Sequence, residues 1–254
     1  MLAPEPFPQD AVRVTTDVGD LWLPATDQVL LPYLSSAHCW EPTEVALLRT
    51  LFSLTTRFLD VGANVGYFSA LAAQCSKFGT IDAVEPDPAN VALLRLNLWA
   101  LAPSATVWPV CLGDSRKVVP FTRNMVNCGD GRVGLGARAG TLAAMARGDE
   151  LFEGRSFDVI KLDVQGYESD VLSGLQQVLK RSSNVRVVLE FFPEAIARRS
   201  LDPKDVLKFY SSLGMDRLVE LRGKLCRLED EEILALCAKA GPNGSVNLLL
   251  RNGA

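Results

Sequence analysis

The stretch FLDVGANVGYFSALAA, residues 58–73, decides the fold. A short apolar run ends in Asp60, the chain turns through Gly62 and Gly66, and a helical pattern starts at Tyr67. A strand that passes into a helix through a glycine turn sets a ligand at the carboxyl end of a parallel sheet, against a helix N-terminus whose free N–H groups favour an anion. The dinucleotide fingerprint G-x-G-x-x-G asks for glycines where Asn64 and Tyr67 stand, so two of its three are missing. The spacing reads instead as D-x-G-x-x-x-G with Asn64 at its centre. Such a turn suits a nucleoside joined to an amino acid, with no pyrophosphate to approach closely.

The next apolar run, TIDAVE, ends in Glu85, 19 residues after Gly66. A carboxylate there is placed to accept hydrogen bonds from the vicinal hydroxyls of a ribose. From about residue 55 onward, apolar runs alternate with helical patterns, the signature of strands joined by crossover helices. The runs are RFLDV, TIDAVE, ATVWPV, FDVIKLD, VRVVLEFF, DRLVEL and VNLLLR, which predicts a seven-stranded α/β sheet. YFSALAAQCSK lies between the first two, and Val91, Leu94, Leu98 and Leu101 then share one helical face. Val171, Leu172, Leu175, Val178 and Leu179 form a third apolar stripe, and a fourth helix runs from the N-cap Asp202 and Pro203 to Gly214.

Residues 1–40 read as an N-terminal β-hairpin segment around Val18, Gly19 and Asp20, capping one sheet edge, with a loop into a helix near Pro42. Residues 41–254 read as the main α/β domain, and 123–154 within it reads as a lid-like insertion with CGDGRVGLGARAG and then a helical pattern in TLAAMARGDELF. Its Arg132, Arg138 and Arg147 read as solvated.

The 254-residue chain is 48% hydrophobic and 22% charged, with 26 Lys and Arg against 30 Asp and Glu. A chain this long buries roughly 70–75% of its unfolded surface, enough to fold without disulfides or metal. Mild acidity without a run of five like charges offers no footprint for nucleic acid or an anionic membrane, and small-molecule chemistry becomes the expectation. The six cysteines contain no C-x-x-C and read as reduced thiols, and the start MLAPEPFPQD lacks a signal peptide's basic and apolar regions. A cytoplasmic location follows as an expectation.

LDVGANVGYFSALAA, VEPDPANVALLRLN and above all VIKLDVQGYESDVLSGL at 159–175 resemble the class I S-adenosylmethionine-dependent methyltransferases, and within them the FkbM family. That family's members are mostly O-methyltransferases of natural-product and sugar hydroxyls. The resemblance spans roughly residues 40–251 and implies a Rossmann-like fold of seven mostly parallel strands, the last antiparallel. It implies that Asp60, Gly62, Asn64 and Gly66 hold the methionine part of S-adenosylmethionine, with Tyr67 and Phe68 packed nearby. It further implies that Glu85 holds the ribose and that the turn Leu112, Gly113, Asp114 holds the adenine. The family's usual T-L-D is here Thr141, Leu142 and Ala143, and the Gly-rich 128–140 stretch is long; both departures fall on the acceptor side.

Asp163, ending the fourth strand, is a candidate for the cofactor site and for the catalytic base that takes the acceptor hydroxyl's proton. Glu190, ending the fifth, would lie across the crevice from it, and Glu168 would cap the following helix or face solvent. Acids ending adjacent strands also suit a divalent cation such as magnesium. His38 is the single histidine, the side chain whose ordinary pKa suits a general base near neutrality, and Trp40 beside it reads as packing. The resulting expectation is methyl transfer from S-adenosylmethionine to a hydroxyl of a small molecule. An NAD(P)-dependent reductase and a catalytically silent cofactor-binding protein are the alternatives.

Overall fold

The computed structural model describes residues 10–134 and 141–252. A hairpin of β1 (Ala11–Thr16) and β2 (Gly19–Pro24) leads into helices α1 (Leu30–Ala37) and α2 (Pro42–Leu51). Strand–helix alternation then gives β3 (Arg57–Val61), α3 (Tyr67–Cys75), β4 (Thr80–Val84), α4 (Pro88–Leu101) and β5 (Thr106–Trp108). Four short strands follow, β6 (Cys111–Gly113), β7 (Lys117–Thr122), β8 (Arg132–Val133) and β9 (Thr141–Arg147), before the single turn α5 (Gly148–Leu151). The second half runs β10 (Val159–Leu162), α6 (Glu168–Gly174), α7 (Gln176–Arg181), β11 (Arg186–Phe191), α8 (Pro193–Arg198) and α9 (Pro203–Ser212). It closes with β12 (Met215–Leu221), β13 (Lys224–Cys226), α10 (Asp230–Lys239) and β14 (Val246–Asn252).

The main sheet has the order β13-β12-β14-β11-β10-β3-β4-β5. β11, β10, β3, β4 and β5 pair in parallel, while β14 is antiparallel to both β11 and β12. Helices on both faces leave the central strands no wet side: Phe58 and Val159 enter one core, and their neighbours Leu59 and Ile160 enter the other. That two-sided burial is why these strands read as continuous apolar runs.

Each of the seven predicted runs contributes to this sheet, and β13 makes an eighth strand. Leu221 pairs with Lys224 across Arg222 (φ 51°) and Gly223 (φ 79°), both left-handed as a tight two-residue hairpin requires. ATVWPV is split at Pro109, where β5 ends; β6 then joins a second sheet of order β6-β9-β7-β8. The helix expected in TLAAMAR is the strand β9, paired parallel to β6 and antiparallel to β7. Alanine's helix preference is worth well under about 1 kcal/mol per residue, and ladders on both sides, with Met145 buried against Cys111, Val119 and Phe121, outweigh it. The third predicted helix breaks at Leu175 into α6 and α7.

The N-terminal hairpin packs on α4 and α1. Asn97 Oδ1 accepts from Trp22 N–H (2.7 Å), and its Nδ2 donates to Trp22 O (3.0 Å) and Val65 O (2.8 Å), joining the hairpin to the glycine turn. Helix α1 occupies what was expected to be loop. Among the described residues no helix is long and apolar enough to cross a membrane.

Candidate functional site

A cleft of about 350 Å³ opens at the carboxyl ends of β3, β4, β10 and β11. The strand ends supply Gly62 and Asn64, Glu85, Asp163 and Glu190; Trp40 and Glu41 from the α1–α2 turn and Asn127–Val133 from the insertion close it.

The glycine turn is shaped by close backbone approach. Gly62 lies at φ 83°, and a Cβ on it would sit 1.9 Å from Asp163 O, so a side chain here would separate β3 from β10. The N–H groups of Gly62 and Ala63 both donate to Val84 O, at 2.9 and 3.0 Å. Asn64, at φ 51°, donates its N–H to Glu85 Oε2 at 3.0 Å, and its buried Oδ1 has no partner among the described residues. Glu85 also accepts from Asp87 N–H, at 2.9 Å through Oε1. Burial pushes its carboxyl up to about 7 against the opposing pull of these two backbone donors.

A dense set of charges stands at the β10 and β11 ends. Lys161, 1% exposed, places Nζ 3.2 Å from Asp163 Oδ2 and 4.3 Å from the centre of the Phe68 ring. Burial opposes its charge, but Asp163, Glu44, Asp60 and Glu41 outweigh that and hold the ammonium above its ordinary range. Gln165 Nε2 donates to Asp163 Oδ1 at 3.1 Å. Glu190 is pushed up to about 7 by burial and the charge of Asp163, with Ser245 Oγ donating to it at 2.7 Å. Glu41 is pushed up to about 9 by burial and by its hydrogen bond with Glu44.

Glu168 is buried rather than facing solvent. It accepts from Val164 N–H (3.0 Å) and Gly166 N–H (3.3 Å), fastening the turn in which Gln165 and Gly166 are both left-handed. Burial pushes it up to about 8. Tyr167, on the cleft wall, stacks beneath Arg199, whose guanidinium carbon lies 3.5 Å from the ring centre.

Of the residues predicted to form the site, Gly62, Asn64, Glu85, Leu112, Asp163 and Glu190 line this cleft. The others do not. Asp60 is buried behind the turn, accepting from Ser69 Oγ at 2.7 Å, and burial raises its carboxyl. Gly66 packs on Leu94, and Gly113 sits against Met145 and so close to Gly174 that a Cβ on the latter would meet its carbonyl. Asp114 is a surface acid paired with Lys117 at 3.2 Å. Tyr67 points away, its hydroxyl donating to Asp17 Oδ1 at 2.6 Å, and Phe68 lies under Lys161. His38 is exposed at the end of α1, with Nδ1 2.8 Å from Thr15 O, so it ties the hairpin to α1 and is removed as a candidate base.

Trp40, read as packing, lines the cleft with its ring edge-on to Tyr33, and Arg132, read as solvated, lines it too and pairs with Asp130. Arg147 pairs with Asp149, and Arg138 lies outside the described residues. Glu41, Tyr167 and Arg198 were missed; Tyr167 stood within the DVQGYE motif, whereas nothing local distinguishes Glu41 from a loop acid. Among the described residues no group of three His, Cys, Asp or Glu side chains is arranged to hold a metal ion.

A family model described as the methyltransferase FkbM domain matches residues 60–216, more than half of the chain. The hexuronic acid methyltransferase AglP of Haloferax volcanii is 29% identical over 176 residues, which is 67% of this chain and 66% of the relative. The chain thus spans just under two thirds of that relative's length. The crystal structure of a methyltransferase FkbM from Methylobacillus flagellatus superposes with a TM-score of 0.51 at 15% identity, covering 86% of this chain and 46% of the other. At that identity the likeness is one of fold, and the fold is that of the class I methyltransferases.

Proposed function

Since the chain belongs to the FkbM methyltransferase family, we propose that it is an S-adenosylmethionine-dependent O-methyltransferase whose acceptor is a hydroxyl of a small molecule, a sugar or a natural product. The observation that carries this reading is the pairing of the Asn64 turn with Glu85. A buried carboxylate is fixed by two backbone N–H groups at the cleft wall, each oxygen keeping a lone pair for a further donor. The orphaned Asn64 Oδ1 is an acceptor awaiting a donor, and the acids around it suit a ligand carrying positive charge. The residues therefore fit the cofactor.

S-adenosylmethionine, when bound, supplies a methyl group on a positively charged sulfur. Glu85 would take the ribose hydroxyls, and Gly62 and Asn64 would border the amino-acid end. Trp40 and Leu112 line the cleft as apolar side chains and would keep water from that side once the cofactor is bound. Asp163 would hold the acceptor hydroxyl and take its proton on the carboxylate that Lys161 and Gln165 orient. Holding the reactants in position can lower the barrier by roughly 7–11 kcal/mol, more than proton transfer alone supplies. The relative that acts on a hexuronic acid supports a sugar as acceptor.

Calorimetry with S-adenosylhomocysteine tests the reading. Micromolar binding is expected, weakened by about 1.5–3 kcal/mol in Glu85→Ala, the worth of hydrogen bonds to a charged group. Labelled methyl transfer to a panel of sugars then identifies the acceptor. Failure to bind the nucleoside, together with quenching by NADH, would return the reductase reading.

A further inference from the structure

Helix α1 presents two rows of side chains at the mouth of the cleft. Leu30 is buried and lines the cleft, and Leu34, one turn on, is buried as well. Val29, the N-cap, and Tyr33 each stand one residue earlier, about 100° round the helix, and each is 41% exposed. The outer row continues onto the insertion, because Gln28 N–H donates to Val126 O at 2.8 Å and brings the 45% exposed Val126 and the 66% exposed Met125 alongside the start of α1. At its other end Tyr33 meets Trp40 edge-on, with ring centres 5.2 Å apart, and Trp40 lines the cleft.

An apolar strip built from two segments far apart in the chain therefore adjoins the cleft. Exposed apolar side chains scattered singly are ordinary, whereas a contiguous row beside a cleft marks a binding surface. Polarity divides the two regions: Asp163, Glu190 and Glu85 make the cleft acidic, while α1 carries no charged side chain over Leu30–Ala37. Without a basic residue, α1 has nothing to draw an anionic membrane, and apolar contact is what it offers. Trp40 is followed by Glu41, which lies within electrostatic reach of Asp163 and Glu190, so the strip starts at the end of the cleft assigned to the acceptor.

We propose that the methyl acceptor is amphipathic, with a polar hydroxyl-bearing ring that enters the cleft and a hydrocarbon body that lies on Trp40, Tyr33, Val29, Val126 and Met125. The proposal rests on the methyltransferase reading above. The strip and the cleft wall are two sides of one helix and one insertion, so a molecule that fills the cleft and extends past Trp40 meets the strip next. Met125, unbranched and flexible, suits an apolar body of irregular shape.

Methyl-13C methionine labels four side chains, and the Met125 resonance is assigned by its loss in Met125→Leu. With S-adenosylhomocysteine present, octyl β-glucoside below its micelle concentration is expected to shift the Met125 methyl saturably and to leave the buried Met145 in place. Methyl β-glucoside at the same concentrations should shift neither, since the chain tightens binding by roughly tenfold or more. Val29→Ser combined with Val126→Ser should weaken octyl β-glucoside by roughly fivefold or more and leave S-adenosylhomocysteine affinity unchanged. A Met125 methyl that octyl β-glucoside does not move, that methyl β-glucoside moves equally, or that shifts together with every other methionine overturns the proposal, as does a double variant with the parent's affinity. A shift with protein concentration alone assigns the strip to a second copy of the chain and overturns it too. If the parent fails to bind S-adenosylhomocysteine while Met125 still answers the octyl chain, the methyltransferase reading falls, the acceptor assignment falls with it, and the strip is left as a docking surface for an apolar chain.

Discussion

Asp163 reaches the cleft with a buried ammonium at its back. Lys161 Nζ at 3.2 Å and Gln165 Nε2 at 3.1 Å hold its two oxygens in one orientation, while the side chain stays 28% exposed toward the cleft. A carboxylate oriented in this way can meet a hydroxyl without first reorganising. Asp163→Asn keeps the shape and loses the base, so single-turnover methyl transfer is expected to fall by roughly 10²-fold, the usual scale of general base catalysis. S-adenosylhomocysteine affinity, measured by calorimetry, should stay within a few-fold. A parallel collapse of affinity would move Asp163 from the chemistry to the holding of the cofactor. The variant should also be less stable, because Lys161 keeps its charge and loses its nearest partner.

At the scale of elements, Asp27 ties the start of α1 to the insertion that walls the cleft. Asp27 Oδ1 accepts from Val29 N–H (2.9 Å) and Leu31 N–H (3.0 Å) at the start of α1, and Oδ2 accepts from Cys128 N–H at 2.7 Å. Gln28 N–H adds a bond to Val126 O at 2.8 Å, and Asn90 Nδ2 of α4 donates to Cys128 O at 2.8 Å. The lid-like insertion expected over 123–154 therefore divides: Asn127–Val133 lines the cleft, and Thr141–Leu151 builds the second sheet and α5. Asp27→Ala orphans three backbone N–H groups, each costing about 1–3 kcal/mol when buried, so hydrogen exchange across 124–133 should quicken by roughly tenfold or more. S-adenosylhomocysteine binding should weaken with it. Unaltered exchange in that segment would show that α1 does not hold the wall.

For the whole molecule, the acids of the site set a pH dependence opposite to the usual acid lability. Glu85 and Glu190 are pushed up to about 7 and Glu168 to about 8, from an ordinary 4.5, chiefly by burial. The folded protein keeps these protons where the unfolded chain has released them, so stability is full below about 4.5 and falls as pH rises through 7 to 8. Asp27 works in the other direction: burial raises it, but backbone donors overcome that and hold it low, a contribution lost only in acid below its ordinary 3.8. Thermal midpoints of the ligand-free protein should therefore decline from about pH 5 to pH 8, by about 2–4 °C for each kcal/mol lost. A positively charged ligand should flatten the decline, since it favours the ionised acids. Midpoints that are level or rising over that range would contradict the buried state of these carboxyls.

What the sequence determined by itself is local or two-sided. RFLDV, VIKL and RVVLEF read as strands because a strand buried on both faces is apolar along most of its length, and the glycine turn and Glu85 were readable because each ends its own strand in a common parallel sheet. The Asp202 cap, which accepts from Lys204 N–H at 2.8 Å, was equally legible, being made within one helical turn. Tertiary structure decided the rest, wherever a residue's role depends on a partner far along the chain. TLAAMAR became a strand because β6 and β7 flank it, His38 was drawn out of the cleft by Thr15, and the hairpin settled on α4 through Asn97. Glu41 faces the β10 end only because the α1–α2 turn packs over it, and no periodicity within a short window records a pairing across so many residues.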